Sequence, residues 1–184
     1  MKHSIRAMVG TLVIGMLPLS NLGAATFQAV EPAKSVVGFA YSQMGVKLDG
    51  HFKTFSAQVK LDTDEPAKAE GRIDIDLSSI DTGSAEADEE VAGKSWFDTA
   101  AHPRASFVLQ RLGPAGAGRY EADGQLTIKG RTRELRAPIA ISPDGVLTGS
   151  FVLRRADFGI GEGMWAAFDV VANEITVNFK LVLK

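Results

Sequence analysis

Residues 68–77 read Lys-Ala-Glu-Gly-Arg-Ile-Asp-Ile-Asp-Leu. Ala69, Gly71, Ile73, Ile75 and Leu77 share one parity and Lys68, Glu70, Arg72, Asp74 and Asp76 the other, so the two faces differ completely. Successive strand side chains point to opposite faces, and strict alternation therefore marks a β-strand buried on one side and wet on the other. Residues 119–129 repeat the pattern, with Tyr120, Ala122, Gly124, Leu126 and Ile128 opposite Arg119, Glu121, Asp123, Gln125, Thr127 and Lys129. At the C-terminus Val171, Asn173, Ile175, Val177, Phe179, Leu181 and Leu183 alternate with polar residues.

Weaker alternation covers residues 35–42, 52–62, 105–112, 134–142 and 146–155, which makes eight strands. In 52–62 the phase slips between Phe52 and Phe55, and a bulge near Lys53-Thr54 reconciles it. Turn signals at Gly113-Pro114-Ala115-Gly116 and Ser142-Pro143-Asp144-Gly145 predict hairpins between antiparallel neighbours, hence an up-and-down meander. Residues 84–94 break the pattern: rich in Ala and Glu, with Ser84 as N-cap, they predict one short helix that packs Trp96 and Phe97 nearby. The fold class is all-β, an eight-stranded antiparallel barrel with one short helix.

A sheet wet on one face must cover the other, and closing on itself does so. Eight strands enclose either a filled core or room for one small ligand. On the inward parity Ala57, Gly71, Ala122, Gly124, Ala137 and Gly149 sit among Val59, Ile73, Leu126, Ile139, Phe151, Ile175 and Phe179. Each such glycine by itself is equally a barrel corner. Together they favour a narrow lumen with almost no titratable lining, Asn173 being its one clearly polar residue on the last strand. The ligand this implies is long, apolar and uncharged along its length. Residues assigned to contact it are Phe39, Tyr41, Met44, Ala57, Val59, Ile73, Ile75, Trp96, Phe97, Phe107, Gly124, Leu126, Phe151, Phe158, Trp165, Ile175 and Val177. Gly124→Phe is expected to reduce binding and leave the barrel folded.

Lys2 and Arg6, the apolar stretch 7–19 and the small residues Gly23-Ala24-Ala25 form the order of a secretory signal peptide, residues 1–25, leaving a single domain over 26–184. The apolar stretch is shorter than the ~20 residues a membrane-spanning helix needs. This predicts a periplasmic protein. The chain has 20 basic and 22 acidic residues, and loss of Lys2 and Arg6 leaves 18 against 22. No basic face with aromatic platforms invites nucleic acid. There is no cysteine, so stability rests on burial.

Side-chain catalysis lacks parts. His51 and His102 have no ligand spacing for zinc, and no nucleophile elbow is present. The acidic group Glu86, Asp88, Glu89 and Glu90 is explained by its early position in the helix. Arg154-Arg155 and the arginines of 131–136 read as a solvated basic patch. The segment 157–165, with three glycines and Phe158, Ile160, Met164 and Trp165, is too apolar to be fully exposed. It is either a plug for one barrel end or a gate. Neither a metal nor a cofactor is called for.

These segments together resemble the YceI-like family of bacterial polyisoprenoid-binding proteins over essentially the whole mature chain. The stretches that carry the resemblance are Val37-Gly38-Phe39, Gly50-His51-Phe52-Lys53-Thr54-Phe55, Ser79-Ile80-Asp81-Thr82-Gly83, Trp96-Phe97-Asp98 with His102-Pro103, Gly124 to Gly130, and Arg155-Ala156-Asp157-Phe158-Gly159-Ile160-Gly161. The resemblance implies a lipocalin-like barrel around an elongated pore, with a polyisoprenoid or isoprenoid quinone as ligand. It also implies a membrane cytochrome b561 as partner, which offers a second reading of the chain as a non-enzymatic interaction module. Whether one barrel or a homodimer holds the ligand is left open. Gln43, Ala87 and Glu90 depart from the family pattern, where histidine or arginine is common, and point to a different ligand headgroup.

Overall fold

The computed structural model describes residues 25–184. The signal peptide read in 1–25 lies outside them but for its last residue. The strands are Thr26–Phe27 (β1), Val36–Gln43 (β2), Val46–Phe52 (β3), Phe55–Asp62 (β4), Glu70–Asp76 (β5), Ile80–Asp81 (β6), Arg104–Gly116 (β7), Arg119–Ile128 (β8), Arg131–Ile141 (β9), Val146–Arg154 (β10) and Glu174–Val182 (β11). Among the described residues one α-helix, Ala85–Ala92 (α1), follows its expected N-cap: the Ser84 hydroxyl accepts from the Ala87 amide at 3.4 Å.

All pairings are antiparallel, in the order β1-β4-β5-β7-β8-β9-β10-β11-β2-β3-β6. From β7 to β11 each strand lies beside the next in sequence, which is the expected meander, and β2 then returns beside β11 to curl the sheet. The fold is all-β and lipocalin-like. The ladder ends at β1 and β6, and the ring is completed by two chain corners. β3 turns into β4 through Lys53-Thr54, while β5 passes through Leu77–Ser79 into β6, which pairs back onto β3. Amides stitch these corners: Lys53 donates to Ser79 O at 2.9 Å, Thr54 to Ser79 Oγ at 3.0 Å and Asp76 to Thr54 O at 3.1 Å.

Among the described residues eleven strands replace the expected eight, for identifiable reasons. β1 and β6 have two residues each, too few for a periodicity. β3 is exposed at Val46, Lys47, Leu48 and Asp49, so its alternation carries no burial contrast. The phase slip near Lys53-Thr54 is not a bulge but the break between β3 and β4, which pair with different neighbours. The stretch 113–116 is not a turn either: β7 runs on to Gly116 through register shifts, and the reversal falls at Ala117-Gly118.

Two packed clusters close the interior. One contains Leu61, Leu112, Tyr120, Ile139, Ile141, Leu147, Leu181 and Leu183. The other contains Leu77, Trp96, Ala105, Leu126, Ile128, Phe158, Ile160 and Val171. Between them the inward side chains are only half-buried, among them Val59, Ile73, Ile75, Phe107, Leu109, Leu135, Phe151, Val177 and Phe179. Residues on the inward parity that still meet solvent-sized space mark a hollow middle, walled on one side by members of the first cluster.

Candidate functional site

The hollow is a cavity of about 130 Å³ whose lining spans both ends. β4 and β5 contribute Val59, Leu61, Gly71, Ile73 and Ile75. β7 to β9 contribute Phe107, Leu109, Leu112, Ala122, Leu126, Leu135, Ala137, Ile139 and Ile141. Val37, Leu147, Phe151, Val177, Phe179 and Leu181 complete the wall. Glu70, Arg72 and Ser106 touch it from the opposite parity of β5 and β7, where Arg72 is held by a two-pronged contact to Asp74 at 2.6 Å. Apart from these three residues the lining is apolar and offers dispersion and exclusion of water. A predominantly apolar void of this size has room for an apolar guest.

The glycines act differently from expectation. A Cβ at Gly124 would lie 2.5 Å from Phe107 Cζ and would run into the Val108 carbonyl. A Cβ at Gly149 would meet the Phe179 ring, and one at Gly50 the Phe39 ring. Each glycine thus seats a phenylalanine from the neighbouring strand, laid flat across the sheet. The small residues keep the lumen open indirectly, by letting the rings fold back onto the wall. Gly124→Phe would therefore break the wall rather than plug the lumen.

Of the seventeen residues assigned from sequence, Val59, Ile73, Ile75, Phe107, Leu126, Phe151 and Val177 line the cavity. Phe39 and Gly124 belong to the wall pairs behind it. Ala57 and Ile175 are half-buried on β4 and β11 outside the lining. Tyr41, Trp96, Phe97, Phe158 and Trp165 build or flank the second packed cluster, closing one end. Burial, and secondarily Asp88, pushes the Tyr41 phenol above its ordinary pKa. Met44 lies elsewhere, at the tip of the β2–β3 turn with φ 49°, and is 76% exposed. Sequence reasoning left out Val37, Leu61, Leu109 and Leu112. It had Ala122, Ala137, Ile139 and Phe179 on the correct parity but not among the contacts.

The closed end is organised by a residue read from sequence as solvated. Arg155 is 1% exposed, and its guanidinium donates only to main-chain carbonyls. Nη1 donates to Ile160 O and Gly161 O at 2.9 and 3.0 Å; Nη2 donates to Trp165 O, Val171 O and Ala167 O at 2.7, 2.9 and 3.2 Å; Nε donates to Ala172 O at 3.2 Å. The guanidinium lies 5.3 Å from the Trp96 ring centre and 5.1 Å from that of Phe168. Burial pulls its pKa below the ordinary arginine value. Asn173 also serves this loop, accepting from the Ala156 amide at 3.1 Å, and is not a lumen residue. Trp165 Nε1 donates to Glu90 Oε1 at 2.8 Å, and Lys129 Nζ donates to Gly159 O at 2.7 Å and Glu162 Oε2 at 3.2 Å.

Comparison with known proteins fits this geometry. The YceI-like domain pattern matches residues 28–183. BcnA of Burkholderia cenocepacia, a crystal structure, is 37% identical, with a TM-score of 0.80 over 83% of this chain and 98% of its own. A domain from Saccharophagus degradans described as polyisoprenoid-binding superposes with a TM-score of 0.65 at 16% identity, over 87% of this chain and 99% of its own. A UPF0312 protein of Photorhabdus laumondii is 30% identical over 120 residues, 64% of this chain and 62% of its own length.

Proposed function

We propose, for a chain that belongs to the YceI-like family, that it binds the long apolar tail of one lipid in its lumen, as a carrier or store and without catalysis. The observation that carries this reading is the ring of half-buried apolar side chains between two packed ends, since a barrel meant only as a scaffold would fill its middle. The description of the Saccharophagus domain supports an isoprenoid tail, polyprenol or quinone, as the lipid class. The void as it stands matches a guest about as large as benzene. A longer chain needs the half-buried side chains of the middle, Leu109, Leu135 and Phe151 among them, to move aside.

We place the protein in the periplasm. The export pattern of residues 1–25 supports this. Native mass spectrometry of gently purified full-length product tests both points. The expected result is a polypeptide beginning at Thr26 with an extra mass that solvent extraction releases as an isoprenoid. A protein that stays unliganded after incubation with polyprenol, quinone and fatty-acid micelles would overturn the reading.

A further inference from the structure

We infer that residues 156–172 are the gate of the lumen, a lid folded around the Arg155 guanidinium and latched to α1 by the Trp165–Glu90 hydrogen bond. This rests on the lumen reading above. The two ends of the barrel are covered in different ways. At one end the cover is made of strand residues and short hairpins, with main-chain bonds tying residues 28–31 to 182–184. At the other the cover is a connection between β10 and β11 that contributes Phe158 and Ile160, packed in the cluster that includes the cavity residue Leu126. Few ladder bonds hold this cover. Its carbonyls point inward to one cation, and its turns at Gly159, Gly161 and Gly163 have φ of 66°, 77° and 64°, which glycine alone adopts without strain.

The closed lid carries two electrostatic costs that opening would relieve. Arg155 is a buried cation with no carboxylate partner among the described residues, so closure strips it of water in exchange for carbonyl dipoles. Behind the lid the indole N–H of Trp96 is buried with no acceptor, the only buried side-chain polar atom so left among the described residues. Water reaching this end would hydrate both groups. A lid with a purely apolar underside has no such compensation. From outside it is tied by main-chain bonds, Gly161 and Glu162 amides to Ser95 O at 2.8 and 2.7 Å, Met44 N to Val170 O at 2.8 Å and Ala172 N to Ser42 O at 2.9 Å, and by side-chain contacts that substitution can remove. Glu90 accepts from Trp165, and Lys129 and Arg131 meet Glu162 at 3.2 Å each.

The test uses the full mature chain and the apolar fluorophore N-phenyl-1-naphthylamine, followed by stopped flow. Glu90→Ala and Trp165→Phe each remove the latch and are expected to raise association and dissociation rates together, about fivefold, with the dissociation constant nearly unchanged. Glu90→Gln keeps the acceptor and should behave as the native protein. Amide exchange over 156–172 should accelerate in the first two variants and stay native in the third, with or without probe. Rates and exchange unchanged in Glu90→Ala and Trp165→Phe would overturn the gate while leaving the lumen reading intact. A native protein that takes up no probe would instead overturn the lumen reading, and the exchange measurement still decides whether the lid is latched as described.

Discussion

Gly124→Ala is the smallest change that tests how the lumen is kept open. The added methyl would lie 2.5 and 2.6 Å from Cζ and Cε2 of Phe107, and closer still to the Val108 carbonyl oxygen. The ring has inward parity, so the only direction left to it is into the cavity, and the carbonyl belongs to a β7 strand hydrogen-bonded on both sides. Overpacking of this kind costs about 1–3 kcal/mol, and the backbone contact places the cost in the upper half, about 2–3 kcal/mol. At about 2–4 °C per kcal/mol for a domain of this size, the melting temperature should fall by roughly 4–12 °C. Urea unfolding and calorimetry measure it directly. Phe107→Ala in the same background removes the ring the methyl strikes, so the two changes should be coupled by about 1 kcal/mol or more. Additivity to within about 0.5 kcal/mol, or a melting temperature unmoved by Gly124→Ala, would refute the claim that the ring lies on the glycine.

Three further outcomes are expected. Ala122→Leu adds bulk from the wall into the hollow and should weaken binding of N-phenyl-1-naphthylamine at least tenfold by fluorescence titration while the chain stays folded; unchanged affinity would mean that the probe sits elsewhere. Arg155→Met leaves the carbonyls of Ile160, Gly161, Trp165 and Val171 without their donor, and with orphaned buried groups costing about 1–3 kcal/mol each, chemical denaturation should register a loss of at least ~3 kcal/mol. Arg155→Lys should fall between, because three donors replace five; a native-like Arg155→Met would show that the loop does not depend on the cation. Finally, the Lys53 ammonium and the Gly83 amide hold the Asp81 carboxyl below its ordinary pKa. A depressed carboxyl stabilises above its unfolded value, about 3.9, and the contribution is lost as pH falls through the folded value. The gap in urea midpoint between native protein and Asp81→Asn should therefore shrink on acidification below about pH 4, and a gap constant from pH 5 to 2.5 would contradict this.

The wall of the barrel was legible in residues 68–77 and 119–129 because burial there is one-sided, and one-sided burial leaves a period of two. The same signal was silent for β3, where Val46 and Leu48 are as wet as Lys47 and Asp49. Parity also named which residues face inward, but not how high along the barrel each one sits. Tyr41 and Ile73 have the same inward parity, yet one flanks the end cluster and the other lines the hollow. Arg155 was misread for a different reason. Its partners are main-chain carbonyls, which every residue has, so nothing in the side-chain sequence distinguishes a cation held by six of them from one held by water. The departure at Glu90 was visible as a change of residue, and only the fold shows that it receives the Trp165 indole.

The hollow between the two packed ends also has a volumetric meaning. Space that no atom occupies disappears when the chain unfolds, so an empty barrel is larger than its unfolded chain in water. A void of about 130 Å³ per molecule corresponds to about 80 mL per mole, comparable with the whole volume decrease of about 20–100 mL/mol that unfolding usually brings. Hydrostatic pressure therefore acts on this protein in part through its lumen. A guest that fills the lumen removes most of that susceptibility, so occupancy is readable as resistance to compression even when the guest contributes little to thermal stability.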